Sequence, residues 1–172
     1  LKLVRRRERA RAAGAGKAVL GRRQGLSEQD KGGLGRGDTR LQVARPSSFG
    51  LGFGAYAETL VDDMRLVAAA WHIANQNPLG SAAGYGSSFP LDRKMTTRLL
   101  GFDTLDYNVI YAQMGRGKTE RVTAQALSSV AATLARLAMD NTMFLSQNFD
   151  FLSYPAEPTT RSRILPHQKN PD

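Results

Sequence analysis

The chain has 172 residues, 41% of them apolar and 23% charged, and it contains no cysteine. This length suits one domain able to bury a core, the composition argues against wholesale disorder, and the missing thiol excludes a disulfide framework, a cysteine nucleophile and a thiolate zinc site. The net charge of +9 is concentrated near the start: residues 1–40 hold 12 Lys/Arg against 4 Asp/Glu, and residues 41–172 hold 12 against 11.

The opening stretch, LKLVRRRERARAAGAGK, is basic and has no apolar region behind it. It does not read as a secretory signal, though its arginines give it some look of a transit peptide. No aromatic residue interleaves the cations of residues 1–40. A stacking platform for bases is therefore missing, and a solvated helix face is preferred over a nucleic-acid arm. No apolar run reaches the ~18–20 residues of a membrane helix, so neither nucleic acid nor membrane is expected as a partner.

Residues 1–31 read as a weakened helix. Leu1, Leu3, Ala10, Ala13, Leu20 and Leu26 could share one face, but Gly14, Gly16, Gly21 and Gly25 interrupt it, each at ~1 kcal/mol relative to alanine. GGLGRGDTR, residues 32–40, reads as loop. Residues 47–76 form a better helix: Pro46, Ser47 and Ser48 start it, Asn77-Pro78 stops it, and Tyr56, Leu60, Met64, Val67 and Trp71 make one apolar stripe. A Gly/Ser/Pro loop (77–92) leads to a short helix near 92–100. Residues 104–115 are either a short helix or an irregular buried stretch. A second long helix is predicted over 118–146, with a near-heptad stripe of Leu127, Val130, Leu134, Leu137 and Phe144, and 147–172 is loop again. No stretch shows convincing strand alternation. The expected fold class is all-α, a long-helix bundle whose two stripes need partners to cover them.

GRGKTE (115–120) imitates a phosphate loop, but the first required glycine is replaced by Ala112 and no strand is predicted before it. Thr119 is instead read as a helix N-cap. His72 and His167 are 95 positions apart and offer no metal-ligand spacing. No G-x-S-x-G elbow exists. The Gly/Ser loop 80–88 is an anion-binding candidate through its backbone N–H groups and hydroxyls; the competing reading is a flexible connector.

Five stretches come together: DTRLQVARPSSFGLGFGAYAE (38–58), NQNPLGSAAGYGSSFPLDR (75–93), YAQMGRGKTERV (111–122), LSQNFDF (145–151) and TTRSRILPHQKNPD (159–172). Together they resemble argininosuccinate lyase, a member of the fumarase/aspartase superfamily, and the likeness extends over essentially all 172 residues. The resemblance implies that residues 1–172 are the central helical domain, with the family's N-terminal domain and the part after the third signature outside them. It implies a cytoplasmic homotetramer whose active sites draw on three subunits, no cofactor, and argininosuccinate as substrate, split into arginine and fumarate. Such chemistry needs a positioned base and acid, donors aimed at the charge building on a carboxylate and a loop that closes over the substrate.

Carried over residue by residue, the resemblance implies a catalytic hydroxyl at Ser162 and substrate contacts at Thr39, Gln42, Ser81 and Asn170. Arg40 stands at the family's catalytic histidine and Gln168 at its lysine. Arg161, Arg163 and Leu165 replace the loop's glycine, second serine and methionine, and Arg45 and Gly52 stand where methionine and tryptophan are expected. Arginine stays protonated and cannot act as a base near neutral pH. Glutamine at 168 donates a hydrogen bond without charge, where charge-assisted bonds are roughly twice as strong. The chain alone is therefore expected to be inactive. The other readings are adenylosuccinate lyase or aspartase within the superfamily, and a non-catalytic helical subunit or decayed gene product outside it.

Overall fold

The computed structural model describes residues 2–29, 31–153, 160–161, 164 and 169–170. The chain divides into two compact units, one reaching Val130 and one starting at Ala131.

The first unit opens with helix α1 (Lys2–Gln29), which is unbroken across all four glycines. Its expected weakness is outweighed by packing against α2 (Phe49–Ala74). A Cβ on Gly16 would lie 2.5 Å from Met64 Sδ, and one on Gly50 would lie 2.6 Å from the Ser27 carbonyl. At Gly50, where the neighbouring atoms are backbone, the missing side chain permits the close approach, and Ser27 Oγ donates to the Gly50 carbonyl at 2.8 Å; at Gly16 the neighbour is the movable end of Met64. Tertiary contact overrides propensity here. Lys31 and Glu28 form an exposed pair at 2.8 Å. The hydrogen bond from Lys31 holds the Glu28 carboxyl below its usual range and raises Lys31 in return, but an exposed pair is screened and adds little to stability.

The stretch read as loop is not one. Strands β1 (Gly35–Thr39) and β2 (Gln42–Ser47) pair antiparallel, with a bulge between Gly37 and Asp38. Strand alternation fails as a guide because the ladder is mostly exposed and glycine-rich, so no apolar face was there to alternate.

Ser48 caps α2 as expected: its backbone is extended and its side chain accepts from Leu51 N at 3.2 Å. Ser48→Ala should cost about 1 kcal/mol, read as a lower urea midpoint; an unchanged midpoint would show the cap to be idle. The helix ends at Ala74, two residues early, because Asn75 N turns back to the Trp71 and His72 carbonyls and Gln76–Asn77 (β3) pairs in parallel with Thr104–Leu105 (β4). The buried face of α2 runs through Ala57, Leu60, Asp63, Val67, Ala70 and Ala74. Val67 and Ala70 meet Ala126 of α5 (Lys118–Phe144), with Met64, Val122 and Val130 packed around them. Buried Asp63 accepts from Ser129 Oγ, tying α2 to α5 through a polar contact.

Between the long helices lie α3 (Arg93–Leu99), capped by Asp92, and α4 (Val109–Met114), capped by Asn108. The ambiguous 104–115 stretch thus resolves into β4 and α4. Thr119 is not the cap of α5. The Gly117 carbonyl already accepts from Arg121 N at 2.9 Å, so Thr119 sits buried in the first turn, where its carbonyl takes the Thr123 hydroxyl at 2.7 Å. Two of the five stripe residues predicted on α5 stay exposed in this chain: Leu127 at 44% and Leu134 at 37%.

In the second unit α5 continues to Phe144, and Leu137 is buried. The following turn folds back. Phe151 N and Leu152 N both donate to the Phe144 carbonyl, and Phe151 packs on Phe144 and Phe149 with ring centroids 6.0 and 5.5 Å apart. Backbone β5 (Thr160–Arg161) pairs antiparallel with β6 (Lys169–Asn170), a short ladder in the region read as loop.

Candidate functional site

The hairpin β1–β2 carries the first group of candidate residues at its tip. Thr39 faces Gln42 across the closing pair, and Arg40 and Leu41 form the two-residue turn. Both turn residues have positive φ, 54° and 63°. That is the conformation of a type I′ turn, which normally selects Asn-Gly. A β-carbon in the left-handed region costs roughly 1–2 kcal/mol, so this tip is strained at Arg40 and Leu41. Thr39, Arg40 and Gln42 are exposed. Below the tip, Arg36 binds Asp38 Oδ2 at 2.9 and 3.2 Å. Replacement Leu41→Gly removes a side chain that is 58% exposed and should therefore stabilise the chain by about 1 kcal/mol, seen as a higher urea midpoint. A loss of stability would show that the leucine side chain matters more than its backbone.

The second group is built around Asn77, which has no exposed surface. Its Nδ2 donates to Thr97 Oγ1 at 2.8 Å and Thr96 Oγ1 at 3.2 Å, its Oδ1 accepts from Leu79 N, and its carbonyl accepts from Asp106 N. Arg93 adds a clamp: its guanidinium donates to the carbonyls of Leu79, Asp106 and Tyr107 at 2.8, 2.7 and 3.3 Å. The Arg93 stem fills the space beside Gly80, where a Cβ would come within 2.7 Å. These bonds fix both ends of the Gly/Ser loop.

Within that loop Gly80, Ala82, Gly84 and Gly86 all have positive φ. Ser81 is buried, and its hydroxyl accepts from Gln113 Nε2 of α4 at 2.9 Å. The same nitrogen reaches the Ala82 carbonyl, while Gly84 N and Gly86 N both donate to the Ser81 carbonyl. The loop is thus internally bonded at its base and presents Tyr85, Ser87, Ser88 and Phe89 to solvent. Sequence reading singled out Ser81 but not Asn77, Arg93 or Gln113 as the residues that shape the loop; the signals were Asn77 before a proline and the place of Arg93 at the end of the NQNPLGSAAGYGSSFPLDR stretch.

The third group lies in the second unit. The backbone pairing sets Asn170 opposite Thr160 and Lys169 opposite Arg161. Ser162 and Gln168 lie outside the described residues, as does His167. His72 is exposed in the last turn of α2. Among the described residues no group of three His, Cys, Asp or Glu side chains could hold a metal ion, and no helix is long and apolar enough to cross a membrane. GRGKTE follows α4 directly, with no strand before it: Gly115 caps that helix.

Comparison with known proteins agrees with these stretches. Residues 26–172 match the lyase family model. Argininosuccinate lyase from Parabacteroides distasonis is 68% identical over 136 residues, which is 79% of this chain and 30% of that protein. A solved structure of EDDS lyase in complex with formate superposes with a TM-score of 0.95 at 25% identity, covering 99% of this chain and 34% of that one. The fumarate lyase:delta crystallin structure from Brucella melitensis shares the fold, with a TM-score of 0.79 at 20% identity over 98% of this chain and 38% of that one. The chain therefore spans about a third of the length of the proteins it matches, and over that span it belongs to the lyase family of the fumarase/aspartase superfamily.

Proposed function

We propose that this chain is the central helical part of an argininosuccinate lyase, which in its complete form eliminates arginine from argininosuccinate and leaves fumarate. The observation that carries the reading is the 68% identity to an argininosuccinate lyase across 136 residues. In this reading the hairpin tip brings Thr39 and Gln42 to the substrate, the loop held by Gln113 brings Ser81, and Ser162 and Asn170 act from the segment after β5. The complete enzyme is a cytoplasmic homotetramer. Exposed Leu51 on α2 and Leu127 and Leu134 on α5 support assembly, since each leaves apolar surface in water in a single chain.

Arg40 decides the chemistry. In this reading Arg40 stands for the family's base, and a guanidinium cannot accept the proton. The chain by itself then binds substrate without turning it over. Purified chain mixed with argininosuccinate should give no rise in fumarate absorbance at 240 nm; steady release above background would overturn this. The same Arg40 favours a second reading, a non-catalytic subunit that assembles with intact lyase. Co-purification with active subunits, without turnover of its own, is the result that reading requires.

A further inference from the structure

The geometry points to a separate binding site for a small phosphorylated anion in the cleft between α3 and the Gly101–Leu105 stretch. The cleft has a volume of about 450 Å³, within the range of small-molecule sites. None of the residues assigned to lyase chemistry lines it, so the proposal stands apart from that reading.

Lys94 and Arg98 both line the cleft. Four residues apart on α3, they rise one turn above the other on one face. Both are exposed, and neither forms an ion pair among the described residues. Thr97 lies between them, but its hydroxyl is already committed: it donates to the Arg93 carbonyl at 2.7 Å and accepts from Asn77 at 2.8 Å. The two cations are therefore the strong donors of the cleft. An ammonium beside a planar guanidinium fork suits the several oxygens of a phosphate, which the fork can engage bidentately.

The opposite wall is fixed in advance. Gly101 N bonds to the Arg98 carbonyl, Phe102 N to the Thr97 carbonyl and Asp103 N to the Asn75 carbonyl, and Phe102 is buried. That wall adds little ordering cost on binding, and the cost falls on the Lys94 and Arg98 side chains. Tyr107 lines the same cleft with its side chain 74% exposed, so its ring is open to stack on a nucleoside base. Asp103 also lines the cleft. Its charge opposes an anion and should hold the affinity of the native chain down.

The test is calorimetric titration of the whole chain, at low salt, with inorganic pyrophosphate in one arm and AMP in the other. Saturable binding in a single site is expected, weakened about tenfold or more in K94A/R98A and strengthened severalfold in D103N. Tighter binding of AMP, with the advantage lost in Y107A, would identify a nucleotide as the ligand; equal binding would identify inorganic phosphate. The proposal is overturned if neither anion binds saturably, if K94A/R98A binds as well as the native chain, or if D103N leaves the affinity unchanged. Because D103N is expected to gain affinity, its result cannot be mistaken for misfolding.

Discussion

Replacing Asn77 by alanine should lower stability by about 3 kcal/mol. Three side-chain bonds vanish at once, and Leu79 N loses the acceptor it has in Asn77 Oδ1. A buried donor left without a partner costs roughly 1–3 kcal/mol, and Leu79 N, in a bond only part-buried, falls at the low end. The Thr96 and Thr97 hydroxyls keep their own bonds to the Arg93 carbonyl, so the loss is not the full sum of three. At roughly 2–4 °C per kcal/mol for a chain of this size, the melting temperature should fall by about 6–12 °C. Asn77→Asp separates hydrogen bonding from volume. The carboxylate would face two hydroxyl oxygens that already donate to the Arg93 carbonyl, and it would be a charge at a position with no exposed surface. The aspartate variant should therefore be at least as unstable as the alanine variant, although it fills the same space. An aspartate variant close to native stability would mean that the Asn77 amide bonds are not what holds β3, α3 and the Gly/Ser loop together.

Several elements were legible because local chemistry and tertiary contact agree. Helix α2 follows from the Ser48 cap and the Leu60–Val67 spacing, and α3 from Asp92. The buried stripe of α5 is only partly the predicted one, since Leu127 and Leu134 stay exposed while Ala126 and Thr133 are buried: size pointed to the leucines, but it is the small Ala126 that packs against Val67 and Ala70. Helix α1 looked damaged because its glycines were weighed as propensity, whereas its packing on α2 keeps it unbroken across all four. The β1–β2 hairpin was invisible because its turn is Arg40-Leu41, held at positive φ by the fold rather than by turn-forming residues.

The candidate site divides in the same way. Resemblance located the hairpin tip, the Gly/Ser loop and the terminal segment by motif. It did not reveal the support beneath the loop. Arg93 reaches carbonyls 13 or 14 residues away in either direction, and Gln113 reaches Ser81 across 32. No spacing rule connects such residues, because they meet only after β3 and β4 have paired.

The second large effect concerns Arg40. If the hairpin tip holds the position of the proton-abstracting base, loss of that base should cost about 10²–10⁴-fold in turnover. The decisive measurement is fumarate release by a chimera in which the aligned part of this chain replaces the matching 136 residues of the Parabacteroides distasonis argininosuccinate lyase. The chimera should be slower than its parent by that factor, and Arg40→His together with Arg161→Gly and Gln168→Lys should restore most of the rate. A chimera that turns over argininosuccinate at the parental rate with Arg40 in place, or one that the three replacements leave inactive although it folds and assembles, would contradict the assignment of this chain to the lyase site.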